Sequence, residues 1–259
     1  MIPKIIHYCW FGNKEKSKEI LNNIGTWKTV LYDYQIIEWN ENNIDIDSCI
    51  YLKEAYEAKK YAFVSDYVRL LVLEKYGGIY FDTDVEVIRR LDDLLNLTGF
   101  GCWENDNIPS TGIMAAQKGN KIIQRMLKSY DGEHFLNDVG AYKLKPNTLR
   151  YRDILQKCMP QQGVLNGTLF EDMLMLPQYY FSPICYDGKN IANDNTRTIH
   201  KFEGSWVLST SEEEQEYNKR ANRYTRIFGD VVGKKIYNNI LRLKNRGILG
   251  WIKWALKRK

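Results

Sequence analysis

The chain has 259 residues, 44% hydrophobic, 27% charged and 13% aromatic. That composition belongs to a soluble globular protein of one sizeable core and excludes a disordered or collagen-like chain. No stretch approaches eighteen consecutive apolar residues, so no bilayer-spanning helix is expected. The net charge of +5 is unevenly placed: from Tyr217 onward thirteen Lys or Arg face one acid, Asp230, leaving +12 on residues 217–259 and −7 on residues 1–216. An acidic main body argues against nucleic-acid binding and points the basic tail toward an anionic partner, a lipid surface. The cysteines, Cys9, Cys49, Cys102, Cys158 and Cys185, are odd in number and form no C-x-x-C pair, so neither a disulfide framework nor a thiolate zinc site is expected. No basic n-region followed by a long apolar run opens the sequence, which predicts a protein kept in the cytoplasm.

Residues 3–12 form a β-rich apolar run stopping at Gly12-Asn13, a first buried strand entering a loop. Residues 15–27 look helical and 34–39 read as a second strand, so the start is β-α-β, the pattern of a nucleotide-binding α/β sheet. Residues 52–76 carry apolar positions at helical spacing and close at Gly77-Gly78, which suits a left-handed cap. Residues 79–88 are too rich in β-branched and aromatic side chains for a helix and read as a strand running into an active loop. Residues 112–116 predict a short strand, 121–130 a helix, and 174–181 a loop or strand interrupted by Pro177. In the tail, Ile227, Val231, Ile236 and Ile240 belong to one helical stripe and Ile248, Trp251, Ile252 and Ala255 to another. Such helices pack on their own domain or, with Trp251 and Trp254 beside Lys253 and Lys257, lie in a membrane interface. The expected organisation is a catalytic domain over 1–216 and a basic amphipathic tail over 217–259.

Asp82 and Asp84 are one residue apart, so on an extended chain their carboxylates project from one face about 7 Å apart. Paired carboxylates repel unless a cation sits near them, and hard oxygen ligands suit Mg²⁺ or Mn²⁺. A bare D-x-D is most often a solvated acidic pair. Here it follows the apolar Ile79-Tyr80-Phe81, which places it at the C-terminal end of a buried strand, where α/β sheets bind ligands. Upstream, Asp66 and Arg69 share a helix face; on the surface they are a weak ion pair, but flanking Val64, Val68, Leu70 and Leu71 suggest a buried helix, where such a pair needs a reason.

The window from Lys60 to Arg69 and from Tyr76 to Asp84, with Ile6-His7-Tyr8-Cys9-Trp10-Phe11-Gly12 and His200-Lys201-Phe202-Glu203-Gly204-Ser205-Trp206, resembles glycosyltransferase family 32, the D-x-D sugar transferases. It is more distantly similar to the glucosyltransferase domains of large clostridial toxins. The resemblance implies a GT-A-like α/β domain with a mixed central sheet and a metal-dependent, retaining transfer of a hexose from a nucleotide-sugar, UDP-sugar favoured. It also implies roles. Trp10 stacks on the base and the Cys9 backbone holds its edge; Asp66 and Arg69 bond sugar hydroxyls; Asp82 touches ribose or sugar. Asp84 and His200 hold Mn²⁺ or Mg²⁺, and Ser205 and Trp206 cover the diphosphate. Tyr61, Tyr80 and Thr83, in the matching segments, complete the donor site. Asn166-Gly167-Thr168 stands where many relatives have Gly-Pro, which leaves Glu171 and Asp172 as candidates for acceptor contacts. His7 is assigned a structural part and His134 none. The expected acceptor is a glycan or lipid-linked oligosaccharide of bacterial capsule or exopolysaccharide synthesis, met at the inner face of the cell membrane. Two rivals stay open: a toxin-like transferase that glycosylates a protein side chain, and a non-catalytic nucleotide-sugar or membrane-binding module.

Overall fold

The computed structural model describes residues 1–105, 108–137, 142–143, 145–185 and 188–202. Ser205, Trp206 and the expected tail over 217–259 lie outside the described residues. Met1–Pro183 and Ile191–Glu203 make one compact unit, to which every element named below belongs.

The chain opens with β1 (Ile5–Cys9), α1 (Lys18–Val30) and β2 (Gln35–Trp39). The helix starts three residues later than the apolar spacing predicts, because Ser17 takes the N-cap position and its hydroxyl accepts from the Ile20 amide. β1 lies between β2 and β3 (Gly78–Phe81), parallel to both. Beyond β3 the sheet changes sense. β6 (Ile108–Ala116) runs antiparallel to β3 and to β5 (Gly99–Asn105), and β9 (Met173–Leu176) joins β5 in parallel. The antiparallel β8 (Thr168–Phe170) and β7 (Pro160–Gln162) finish the edge. Among the described residues the result is an eight-stranded mixed sheet of order β2-β1-β3-β6-β5-β9-β8-β7, the mixed α/β architecture expected of a GT-A-like domain. A separate antiparallel pair joins β4 (Val85–Val87) to β10 (Thr198–His200).

Strand alternation divides the core between the two faces of the sheet. Ile6 and Tyr8, Ile79 and Phe81, Ile113 and Ala115, and Leu174 and Leu176 pack with Ile20, Ile24 and Trp27 of α1. Their neighbours Cys9, Tyr80, Met114, Met173 and Met175 face the other way. There they meet α2 (Ile50–Glu57), α3 (Tyr61–Tyr76), α4 (Lys121–Lys128) and α5 (Asn147–Leu155). Both faces being covered, the central strands read as continuous apolar runs rather than alternating ones.

Two predicted elements are divided. The helical stretch over 52–76 is α2 and α3, separated at Lys59, whose φ of +56° ends α2 without a glycine or proline to announce it. The predicted strand over 79–88 is β3 and β4, separated by a turn in which the Val85 amide donates to the Asp82 carbonyl (3.1 Å). At the end of α3, Gly77 and Gly78 take φ of +66° and +105°. A Cβ on Gly78 would stand 2.7 Å from the Ile5 carbonyl oxygen, so glycine alone lets the helix turn straight into a strand lying against β1. His7 is a core residue. Trp39 Nε1 donates to its Nδ1 (3.0 Å), which leaves Nε2 to donate to the Gly77 carbonyl (2.8 Å), and burial holds its pKa down at about 4, so it is neutral.

Candidate metal and donor site

The D-x-D segment is not extended. The turn after β3 folds the two carboxylates toward each other, and β10 brings His200 in from the far end of the sequence. Ligand atoms of Asp82, Asp84 and His200 all lie within 4.8 Å of one another, with His200 Nε2 3.2 Å from Asp84 Oδ1. Asp84 and His200 are buried and Asp82 is partly open. Burial disfavours the imidazolium, but the Asp84 carboxylate beside it prevails and raises the His200 pKa to about 9. His200 is therefore a protonated partner of Asp84 at neutral pH, and its imidazole would have to give up that proton to hold a metal ion.

The residues fit a divalent cation. The donor set is two carboxylates and one imidazole, which suits Mn²⁺ and, less closely, Mg²⁺. The floor of the cluster is Gly112 of β6, where a Cβ would stand 2.7 Å from His200 Cε1 and 3.0 Å from Asp82 Oδ2. The Gly112 carbonyl also accepts from the Asp82 amide (2.8 Å). His200 Nδ1 is buried and has no partner among the described residues.

Beside the cluster, α3 contributes Asp66 and Arg69. The Arg69 guanidinium is 4% exposed and turned inward: Nη2 is 3.2 Å from both Asp66 Oδ1 and Asp82 Oδ1, Nε donates to the Ser65 carbonyl, and Nη1 donates to the Thr111 carbonyl. It lies 4.6 Å from the Tyr80 ring centroid, while the Tyr80 hydroxyl donates to Asp82 Oδ1 (3.0 Å). Burial disfavours the cation, yet Asp82, Tyr80 and Asp66 raise its pKa further. Asp66 Oδ2 accepts from the Asn147 amide at the start of α5 (3.0 Å), and Asn147 Nδ2 donates to the Asp66 carbonyl (2.6 Å). Burial raises the Asp66 carboxyl to about 6 against the pull of Arg69 and of that amide.

Other expected donor residues are found at the same end of the sheet. Trp10 follows β1, is partly exposed, donates through Nε1 to the Lys14 carbonyl (2.6 Å) and has Lys16 Nζ 5.5 Å from its ring. Tyr61 packs so closely on the loop after β1 that a Cβ on Gly12 would stand 2.3 Å from its ring. Cys9 is buried and its thiol is pushed up to about 12 by burial, so only its backbone is suited to ligand contact. Thr83 is buried between the two aspartates. Glu171 and Asp172 are elsewhere. Glu171 pairs with Arg125 and Asp172 Oδ2 accepts from the Lys121 amide, while the Asp172 carbonyl accepts from Thr98, at the Ala116 end of the sheet and away from Asp82. The acceptor contacts expected of them are therefore not made at this site. His134, which no motif claims, pairs with Glu54 on the surface. Gly112 and Asn147 are the site residues that sequence reasoning missed. A glycine inside a strand pattern signals close approach, and Pro146-Asn147 marks a helix start; neither says what it faces.

Residues 17–100 match the family described as glycosyltransferase sugar-binding region containing DXD motif. The match spans the residues that form α3 and the aspartate turn, where the chain is similar to the D-x-D sugar transferases. Inositol phosphoceramide mannosyltransferase 3 of Schizosaccharomyces pombe is 31% identical over 139 residues, 49% of this chain and 37% of the relative. A protein named Toxin from Photorhabdus asymbiotica is 25% identical over 243 residues, 77% of this chain and 8% of the toxin. The chain thus spans well under half of these relatives' lengths. A solved structure described as PaToxG Glycosyltransferase superposes with a TM-score of 0.47 at 21% identity, covering 60% of this chain and 68% of that one.

Substitution Gly112→Ala tests the cluster itself. The added methyl displaces His200 or Asp82, and Mn²⁺ affinity, read by electron paramagnetic resonance of the free ion, is expected to fall about 10-fold or more. Unchanged affinity would mean that the ion binds elsewhere.

Proposed function

We propose that this protein is a metal-dependent, retaining glycosyltransferase that moves a hexose from a nucleotide-sugar, UDP-linked for preference, to a glycan acceptor. The observation that carries the reading is the meeting of Asp82, Asp84 and His200 beside the Asp66–Arg69 pair, within the D-x-D sugar-binding region. Transfer breaks the bond between the anomeric carbon and phosphate, leaving positive character on the ring and negative charge on the diphosphate. Asp84 and His200 would hold a divalent ion, which would supply the positive charge that offsets the departing diphosphate. Asp66, fixed between Arg69 and Asn147, presents an anion to the ring and favours its oxocarbenium-like transition state. Trp10, at the open end of β1, offers a face for the base.

For the acceptor we propose a lipid-linked oligosaccharide of capsule or exopolysaccharide synthesis at the inner membrane face. The basic, tryptophan-bearing residues 217–259 support it, as does a relative whose name specifies a ceramide-based acceptor. The match to a toxin over 77% of this chain favours a second reading, transfer to a protein side chain. Labelled sugar appearing in extracted lipid supports the first and label in a protein band the second.

The reaction class is tested by donor hydrolysis across UDP- and GDP-sugars with Mn²⁺, Mg²⁺ or EDTA. Slow, metal-dependent hydrolysis of one donor, lost in Asp84→Asn, is the expected result; no hydrolysis and no metal-dependent thermal stabilisation by any donor would remove the reading's support. At saturating Mn²⁺, where His200 is already deprotonated, kcat/KM is expected to fall as pH drops through about 6, because Asp66 ionises above that value and is neutral below it. Asp66→Asn should lower kcat and flatten that limb. The membrane placement predicts that protein lacking residues 217–259 loses binding to anionic vesicles in a flotation assay while retaining thermal stability; equal flotation of both forms would refute it.

A further inference from the structure

The two segments that build the metal cluster are far apart in sequence, and one side chain outside the cluster touches both. Asn23, on the buried face of α1, is fully enclosed. Its Nδ2 donates to the carbonyl of Thr83, the residue between the two aspartates (2.9 Å). Its Oδ1 accepts from Nζ of Lys201, the residue after His200 (2.7 Å). The orientation of the amide is fixed by chemistry: an ammonium can only donate and a carbonyl can only accept, so the oxygen must face Lys201 and the nitrogen must face Thr83. An ionised aspartate of the same size has no donor to offer the Thr83 carbonyl.

The surrounding contacts isolate what Asn23 adds. α1 is already anchored by Ile20, Ile24 and Trp27 in the core, and Trp27 Nε1 donates to the Val85 carbonyl (2.7 Å). Thr26 Oγ1 accepts from the Val87 amide (3.0 Å), which holds β4. These bonds fix the strand after the aspartate turn. Asn23 holds the peptide inside the turn and, through Lys201, the strand that delivers His200. Lys201 adds its own amide bond to the Asp84 carbonyl (3.0 Å) and pairs with Glu86 (3.0 Å). The relay from α1 through Asn23 to both sides of the cluster therefore consists of a buried hydrogen bond to backbone and one to a partly exposed cation, and losing the cation leaves the enclosed Asn23 oxygen without that partner.

We infer that Asn23 is a positioning residue of the metal site, setting the distance between the aspartate turn and His200. The inference rests on the metal-site reading of Asp82, Asp84 and His200. Asn23 touches no ligand atom; it acts through the peptide of Thr83 and through Lys201, as the outer hydrogen-bond partners of metal ligands do elsewhere.

The test is Mn²⁺ affinity of the full chain, read by electron paramagnetic resonance, alongside melting in EDTA. Asn23→Ala and Lys201→Met are each expected to weaken Mn²⁺ binding about 10-fold. The double variant should bind no more than about twofold weaker than the poorer single one, because both break one relay. Donor hydrolysis should return toward the wild-type kcat when Mn²⁺ is raised, a recovery that a general loss of folding would not show. Wild-type affinity in a folded Asn23→Ala overturns the inference, as does full additivity in the double variant. If Asn23→Ala does not fold, unchanged affinity in Lys201→Met overturns it alone. A wild-type chain that binds no Mn²⁺ overturns the metal-site reading and the inference with it, whereas wild-type binding lost in Asp84→Asn but indifferent to Asn23 and Lys201 removes only the inference.

Discussion

The Arg69 guanidinium is the interaction on which the site depends. It is buried against two carboxylates from different elements, Asp66 of its own helix and Asp82 beyond β3, and its remaining contacts reach the carbonyls of Ser65 and Thr111. Those carboxylates, one buried and one partly open, would repel each other without it. Removing one partner of a buried charge pair costs about 3–5 kcal/mol, because the charge left behind has neither water nor counterion. The Tyr80 ring under the guanidinium adds a face with which a cation interacts favourably. One side chain thus joins α3, β6 and the end of β3, and the position of Asp82 follows from it.

The charge pattern suits a cation at the Asp82–Asp84–His200 cluster. Asp66, Asp82 and Asp84 bring three carboxylates into a small volume, and Arg69 pairs with two of them. His200 supplies a second positive charge only by holding a proton up to about pH 9. A divalent ion held there would take the place of that proton and would add positive charge beside Asp82 and Asp84. The sheet makes this possible through its change of direction. β1 and β3 run parallel, so their C-terminal ends open together, and β6 returns antiparallel to place Gly112 and Thr111 beneath the turn. At Gly112 the backbone approaches His200 too closely for a side chain, so the cluster's compactness is a property of the strand and not of its ligands alone.

Much of this was legible in the sequence. The β-α-β opening, the Gly77-Gly78 cap and the apolar strand before Asp82 are local signals, set by side-chain period and backbone freedom, and they appear where the spacing puts them. The same spacing fails at Lys59, where a lysine adopts positive φ and no composition cue separates α2 from α3. It fails again at Thr83, because β-branched and aromatic residues on either side favour a strand, whereas the turn is held by contacts from Arg69, Gly112 and Asn23 that no local pattern encodes. His200 could be assigned a ligand role by resemblance, but its path to the cluster runs through the β4–β10 pairing, which no periodicity encodes. Glu171 and Asp172 show the reverse error. Acidic residues near a suspected acceptor segment look functional in sequence, yet β8 and β9 carry them to the other end of the sheet, where they bind Arg125 and the start of α4.

Asp66 brings these points together, since nothing about it is free to move. Arg69 holds one oxygen from within α3, and the first amide of α5 holds the other, at the positive end of that helix. Asn147, which supplies the amide, is fixed through Oδ1 by the Tyr130 hydroxyl (2.7 Å), and Tyr130 lies under Arg150, which is paired with Glu133. A carboxylate held from two directions keeps one orientation before any ligand arrives, and a group that need not reorient loses nothing at the moment charge develops beside it. Burial alone would favour the neutral acid; these partners pull the other way and leave the carboxyl at about 6. At neutral pH Asp66 is therefore an oriented, poorly hydrated anion, the state in which a carboxylate acts most strongly on a positive centre within its reach.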